Sequence, residues 1–155
     1  MAFETERKFL VVRDLWEREI KPEGIPVSQG YIAETGAGTV RIRIKGSQGF
    51  ITVKGRTSGI TRPEFEYPIP LNDVQEMMRI LDPPKVSKTR YVIPFAGKTW
   101  EVDVFEGLNE GLILAEIELQ SEDEVFERPE WIGEEVTADP RYANSELAKR
   151  PYRSW

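Results

Sequence analysis

The 155-residue chain contains no cysteine and no histidine. The first absence rules out disulfides, thiolate metal sites and a cysteine nucleophile. The second removes the commonest general base at neutral pH and the usual zinc ligand. Any metal would have to be held by oxygen, which favours hard cations such as magnesium, manganese or calcium. Long apolar runs are missing too. The longest stretch without a charge, residues 24–33, is far too short to cross a bilayer as a helix. The charged start at Glu4, Glu6, Arg7 and Lys8 does not look like a secretion signal. The expectation is a cytoplasmic protein with no membrane partner. Positive charge is also in deficit, 21 Lys and Arg against 27 Asp and Glu for a net −6. That is a poor balance for holding a nucleic-acid backbone, so no nucleic-acid partner is expected.

What the chain has in quantity is period-two alternation. In "FETERKFL" (3–10) Phe3, Thr5, Arg7 and Phe9 share one register and Glu4, Glu6 and Lys8 the other. The pattern recurs, giving expected strands at 2–12, 27–34, 38–46, 49–56, 62–70, 86–94, 99–106 and 112–120. Turn sequences such as "GSQG" and "AGK" separate several of them, so the pairing should be antiparallel. Helical spacing is expected over 13–20, 72–81, 121–129 and 144–150, with Asn72 or Asp73 capping the second and a Ser121/Glu124 capping box opening the third. No internal repeat or linker is visible. A single domain over 1–155 is expected.

The charges are sorted by strand. Arg41, Arg43 and Lys45 lie on one, Lys54 and Arg56 on the next, and Lys88 and Arg90 on a third. Glu64 and Glu66, Glu101 and Asp103, and Glu116 and Glu118 are acid pairs at the same i, i+2 spacing, each about 6.5–7 Å apart on one strand face. The opposite register is largely apolar. A single strand of this kind is ordinarily a half-buried strand with its charges in water. A merely soluble surface, however, mixes its signs. Like charges side by side repel unless an opposite charge sits among them. Acid pairs call for a divalent cation and base pairs for a multiply charged anion. A metal–polyphosphate complex meets both demands, since a triphosphate carries roughly four negative charges. The charged faces must then surround a common space, in a closed sheet with charge inside and helices outside. An outer-membrane barrel shares that inversion, but the amphipathic helical stretches argue against it. Arg7 and Arg62 would also stand in the wrong register. Lys45 and Arg56, beside turns, read as surface charges and Glu101 as a rim residue. Tyr31 shares a register with Gln29; it is either a packing residue or a hydroxyl that positions water in the lumen.

"ETERKFLV" resembles the ExExK motif of the CYTH superfamily, the triphosphate tunnel metalloenzymes. "VRIRIKG", "ITVKG", "EFEYPI", "VSKTRYVI", "WEVDVFEGLNEGLILAEIEL" and "GEEVTADPRYANSELAK" resemble further family segments in order. The resemblance implies a mainly β, α+β fold: a closed eight-stranded antiparallel tunnel with a charged lumen, jacketed by a few helices. It implies dependence on Mg2+ or Mn2+ and hydrolysis of the terminal phosphate of a small-molecule triphosphate. Glu4, Glu6, Glu116 and Glu118 are implied as metal-side carboxylates, with Asp103 beside them as a ligand or a support. Lys8, Arg41, Arg43, Lys54, Lys88 and Arg90 are implied as the phosphate clamp, and Lys8, Lys88, Glu4 and Glu6 as catalytic. Glu64, Glu66 and Tyr31 would support them. "YANSELAK" resembles a helix that closes over the tunnel, with Lys149 as an added phosphate contact. The short chain favours inorganic triphosphate as substrate. Thiamine or nucleoside triphosphates, cyclisation of ATP, and a non-catalytic polyphosphate-binding module stay open, as does a homodimer through a jacket face.

Overall fold

A computed structural model describes residues 3–155; position 2 of the first expected strand lies outside the described residues. The elements run β1 (Phe3–Val11), α1 (Arg13–Glu17), β2 (Ile25–Thr35), β3 (Gly38–Lys45), β4 (Gln48–Gly55), β5 (Thr61–Ile69), α2 (Leu71–Leu81), β6 (Lys85–Phe95), β7 (Lys98–Phe105), β8 (Ile113–Glu118), β9 (Ile132–Glu135) and α3 (Asn144–Lys149). Their order in the sheet is β5-β4-β3-β2-β6-β7-β8-β1-β9, and every pairing is antiparallel. Phe3–Thr5 of β1 also pair with Thr61–Pro63 of β5. That pairing closes eight strands into a barrel and removes their open edges. Further along β1, Phe9 and Val11 pair with β9. No described helix is long and apolar enough to cross a membrane.

Two apolar clusters hold the barrel. The first lies outside the wall, where Phe9, Trp100, Val102, Ala115 and Ile117 are buried under Trp16 and Trp131. The rings meet edge to face, Phe9 and Trp100 at 5.6 Å and Trp16 and Trp131 at 5.1 Å between centroids. The second lies inside. The inward registers of β1, β6, β7 and β8 carry charge toward one end of the barrel and Leu10, Val86, Phe105 and Leu114 toward the other, where these pack on Tyr142 and on Leu147 of α3. The same alternation therefore builds a polar lumen and an apolar plug for it.

Three local expectations need correction. Residues 121–129 form no helix: Glu124 accepts from the Gln120 backbone N–H at 2.6 Å, and Phe126 is drawn onto Trp100 at 5.7 Å. Packing of that one ring on the wall turns the segment into a strap, overriding its local helical signal. Helix α1 ends at Glu17 rather than at 20, and α2 starts after Pro70 with no side-chain cap from Asn72 or Asp73. Strand β9 had no sequence signal; it is four residues long and exists because β1 leaves it a free edge.

Candidate active site

The lumen is a cavity of about 230 Å³ whose lining includes Glu4, Glu6, Lys8, Tyr31, Arg41, Arg43, Lys54, Glu64, Glu66, Lys88, Arg90, Glu116 and Glu118. Register brings them together. Inward side chains of a closed barrel come from alternate residues of every strand, so seven charged strands converge without any long loop.

The bases are held from behind by carboxylates. Asp103, only 1% exposed, is buried beneath Lys88 and Arg90 and is not itself part of the cavity lining. It accepts from Lys88 Nζ at 2.7 Å and takes a two-pronged bond from Arg90, Nε at 2.8 Å and Nη2 at 2.9 Å. Lys88 also donates to Asn144 Oδ1 at 3.0 Å, tying the barrel wall to α3. On the facing wall Glu66 accepts from Arg41 at 3.3 Å, from Arg43 at 3.1 Å and from Thr52 at 2.8 Å. Both guanidiniums spend an Nη2 there. The Nε of each is buried with no partner among the described residues. Lys54 bridges Glu4 at 2.9 Å and Glu64 at 3.3 Å.

The acids differ in how they are satisfied. Glu4 accepts from Lys54 and from Arg62 Nε at 2.7 Å. Burial alone would raise its carboxyl, but Lys54, a hydrogen bond with Glu64, and Arg62 bring it down to about 2. Glu6 faces Glu118 directly across β1–β8, and Glu116 faces Lys8 and Glu101 across its two neighbouring strands. Burial pushes Glu6 up to about 8, reinforced by the charges of Glu116 and Glu4. Burial also raises Glu118, with Glu4 and Glu101 adding to it. Glu116 is lowered despite its burial, chiefly by Lys8, whose Nζ lies 3.7 Å away. Burial brings Lys88 down to about 8 against the pull of Asp103, which is itself held well below its usual range by Lys88 and Arg90 although burial opposes that. The lumen thus has one wall of braced cations and, across β1–β8, a pair of acids short of positive charge.

Comparison with known proteins fits this geometry. A family model described as the CYTH domain matches residues 2–152. The chain belongs to the CYTH family. It is similar to an inorganic triphosphatase from Acetivibrio thermocellus, 47% identical over 100% of this chain and 99% of that protein. An inorganic triphosphatase from Nitrosomonas europaea is 37% identical over 94% of this chain and 96% of its own length. A crystal structure of an inorganic triphosphatase superposes with a TM-score of 0.66 at 36% identity, covering 94% of this chain and 97% of the other.

Within this CYTH tunnel the sequence reading misplaced several residues. Lys45 and Arg62 line the cavity, as does Glu101, which was expected at the rim and is half-exposed. Arg62 has the parity of Glu64 and Glu66 on β5, so its inward direction was legible from strand register. Lys45 continues the row of Arg41 and Arg43, and its nearness to a turn does not take it out of the lumen. Arg56 does stay outside, donating to the Gly36 carbonyl at 2.7 Å. Arg7 faces outward and pairs with Glu135 at 2.5 Å. Lys149 pairs with Glu34 and Glu146 and is not part of the cavity lining. Asp103, expected beside the metal carboxylates, has both oxygens taken by Lys88 and Arg90.

Proposed function

We propose that the protein hydrolyses inorganic triphosphate to diphosphate and phosphate, with Mg2+ or Mn2+ as cofactor. The observation that carries this reading is the juxtaposition of a braced cationic wall with an opposed Glu6–Glu118 pair in one lumen. The donor set fits a hard cation: like charges stand directly opposite each other, and both carboxyls are raised, first by burial and then by neighbouring carboxylates. Magnesium is commonly held by one or two carboxylates plus substrate phosphates rather than by an all-protein cage. Glu6 and Glu118 would hold it, with Glu116 and Glu4 beside them. When bound, the cation supplies charge neutralisation at the phosphoryl oxygens.

The chain's own residues do the rest. Arg41 and Arg43, steadied by Glu66, present their guanidiniums to the phosphate oxygens, and Lys54, Lys88 and Arg90 complete the clamp. Asp103 and Glu66 act as supports that fix the direction of those donors, so little reorganisation is needed as charge moves in the transition state. With no histidine in the chain, the water's proton passes to a carboxylate of the acid wall or to a neutral tunnel lysine. Lys88, brought down to about 8, can exchange a proton near neutral pH. Tyr31 is the one aromatic ring among the described residues of the lining. A lone ring offers poor stacking for a purine or a thiamine, which favours the bare triphosphate.

Ranking substrates by kcat/KM for phosphate release tests this choice. Inorganic triphosphate should exceed ATP and thiamine triphosphate by at least about tenfold, a difference near 1.4 kcal/mol. A preference for either organic triphosphate would overturn it.

A further inference from the structure

Gln29 is fully buried on β2, in a register that otherwise feeds the lumen, and nothing in the clamp uses it. Its amide Nε2 donates to the Tyr31 hydroxyl oxygen at 2.8 Å. Its Oε1 is buried without a partner among the described residues. The residue opposite Gln29 on β3 is Arg43, whose Nε is equally unpartnered. A guanidinium is donor only, so the amide face beside Arg43 is best served by the acceptor oxygen, which leaves the NH2 end for Tyr31. Two further features fix the geometry. The β2–β3 register shifts between Tyr31 and Ala33, and an irregularity of that kind re-aims a side chain. Behind the strand, Gly30 lets α2 and its exit loop press close: a Cβ there would stand 2.6 Å from Pro83 Cγ and 2.9 Å from Met78 Sδ.

We infer that Gln29 is a positioning residue that orients Tyr31 as a hydrogen-bond donor into the tunnel. A hydroxyl that accepts from an amide N–H has its own proton to give elsewhere. Tyr31 lines the lumen opposite Arg41 and reaches the anion space from β2, so the group it donates to is a phosphoryl oxygen of the triphosphate. This rests on the hydrolase reading above. The amide raises no phosphate affinity of its own; it removes the alternative in which Tyr31 spends its proton on a protein acceptor.

A double-mutant cycle with Gln29→Met and Tyr31→Phe tests the inference. Gln29→Met should lower kcat/KM for triphosphate by on the order of ten- to a hundredfold when Tyr31 is present, as for loss of a hydrogen bond to a charged group. It should have no further effect in Tyr31→Phe. Equal losses in both backgrounds, or no loss in either, would overturn the inference. Gln29→Glu, nearly isosteric, covers the case in which Gln29→Met fails to fold: a carboxylate accepts from Tyr31, turns its proton away from the tunnel and should reproduce the loss, whereas full activity overturns the inference. Ultraviolet resonance Raman of the tyrosine doublet, taken as wild type minus Tyr31→Phe, reads the hydrogen bonding of this hydroxyl independently of turnover. Loss of the amide donor should shift the doublet toward the pattern of a hydroxyl that only donates, and an unmoved doublet contradicts the contact. If no triphosphate is hydrolysed by the wild type, the hydrolase reading fails, while the spectrum still decides the Gln29–Tyr31 link.

Discussion

Asp103 shows most plainly what the individual charges of this tunnel are for. Both oxygens are occupied by Lys88 and Arg90 in a site with 1% exposure. Removing the carboxylate charge would leave two buried cations without their counter-ion, a far larger cost than deleting a surface pair. Asp103→Asn should destabilise the fold by about 3–5 kcal/mol in urea unfolding; a loss under about 1 kcal/mol would show that Asp103 does not brace the wall. Residue-level chemistry was only partly legible in the sequence. Strand parity is enough to point Glu4, Glu6, Arg41, Arg43 and Lys54 inward. It does not say that Glu66 backs two arginines or that Glu4 is held by Arg62, because those partners are 23 to 58 residues away in sequence and meet only in the folded sheet. Arg62 shares the parity of Glu64 and Glu66 and lines the lumen with them, although a lone arginine at the start of a strand gives little local signal of it.

At the scale of elements, the closed end of the lumen is a product of α3 as much as of the sheet. Leu147 is fully buried against Val86 and Leu114, and Asn144 accepts from Lys88. Leu147→Ala should cost about 2–5 kcal/mol by leaving a cavity in the plug. It should also raise KM for triphosphate, because the Asn144 contact that steadies Lys88 depends on α3 being seated. Unchanged stability would show that the plug is not packed as described. The strands themselves were readable because alternation with a charged face survives at every scale of the fold. The strap over 121–129 was not, since the pull of Phe126 onto Phe9 and Trp100 is a tertiary effect with no local period. Strand β9 likewise depends on an edge that another element vacates.

For the whole molecule, the opposed acids couple stability to pH and to the cation. Glu6 is raised from an ordinary 4.5 to about 8 in the folded, metal-free protein, mainly by burial and then by Glu116 and Glu4. Between those values the folded state holds a proton that the unfolded chain has lost, so stability should fall as pH rises through that window and level off above it. Glu6→Gln should flatten the slope, and Mg2+ should raise Tm most at the alkaline end, where the pair is ionised. Stability that rises across the window in the metal-free protein, with no change in Glu6→Gln, would contradict the assignment of Glu6 to the acid wall.

The most direct measurement is phosphate release from inorganic triphosphate by the wild type, with and without Mg2+ or Mn2+, beside Glu6→Gln/Glu118→Gln. The expected result is release that requires the cation and falls by at least about a hundredfold in the double variant while the variant keeps its fold. Release that survives chelation, or a double variant as active as wild type, would contradict a tunnel built to set a metal-bearing acid pair against a cationic wall.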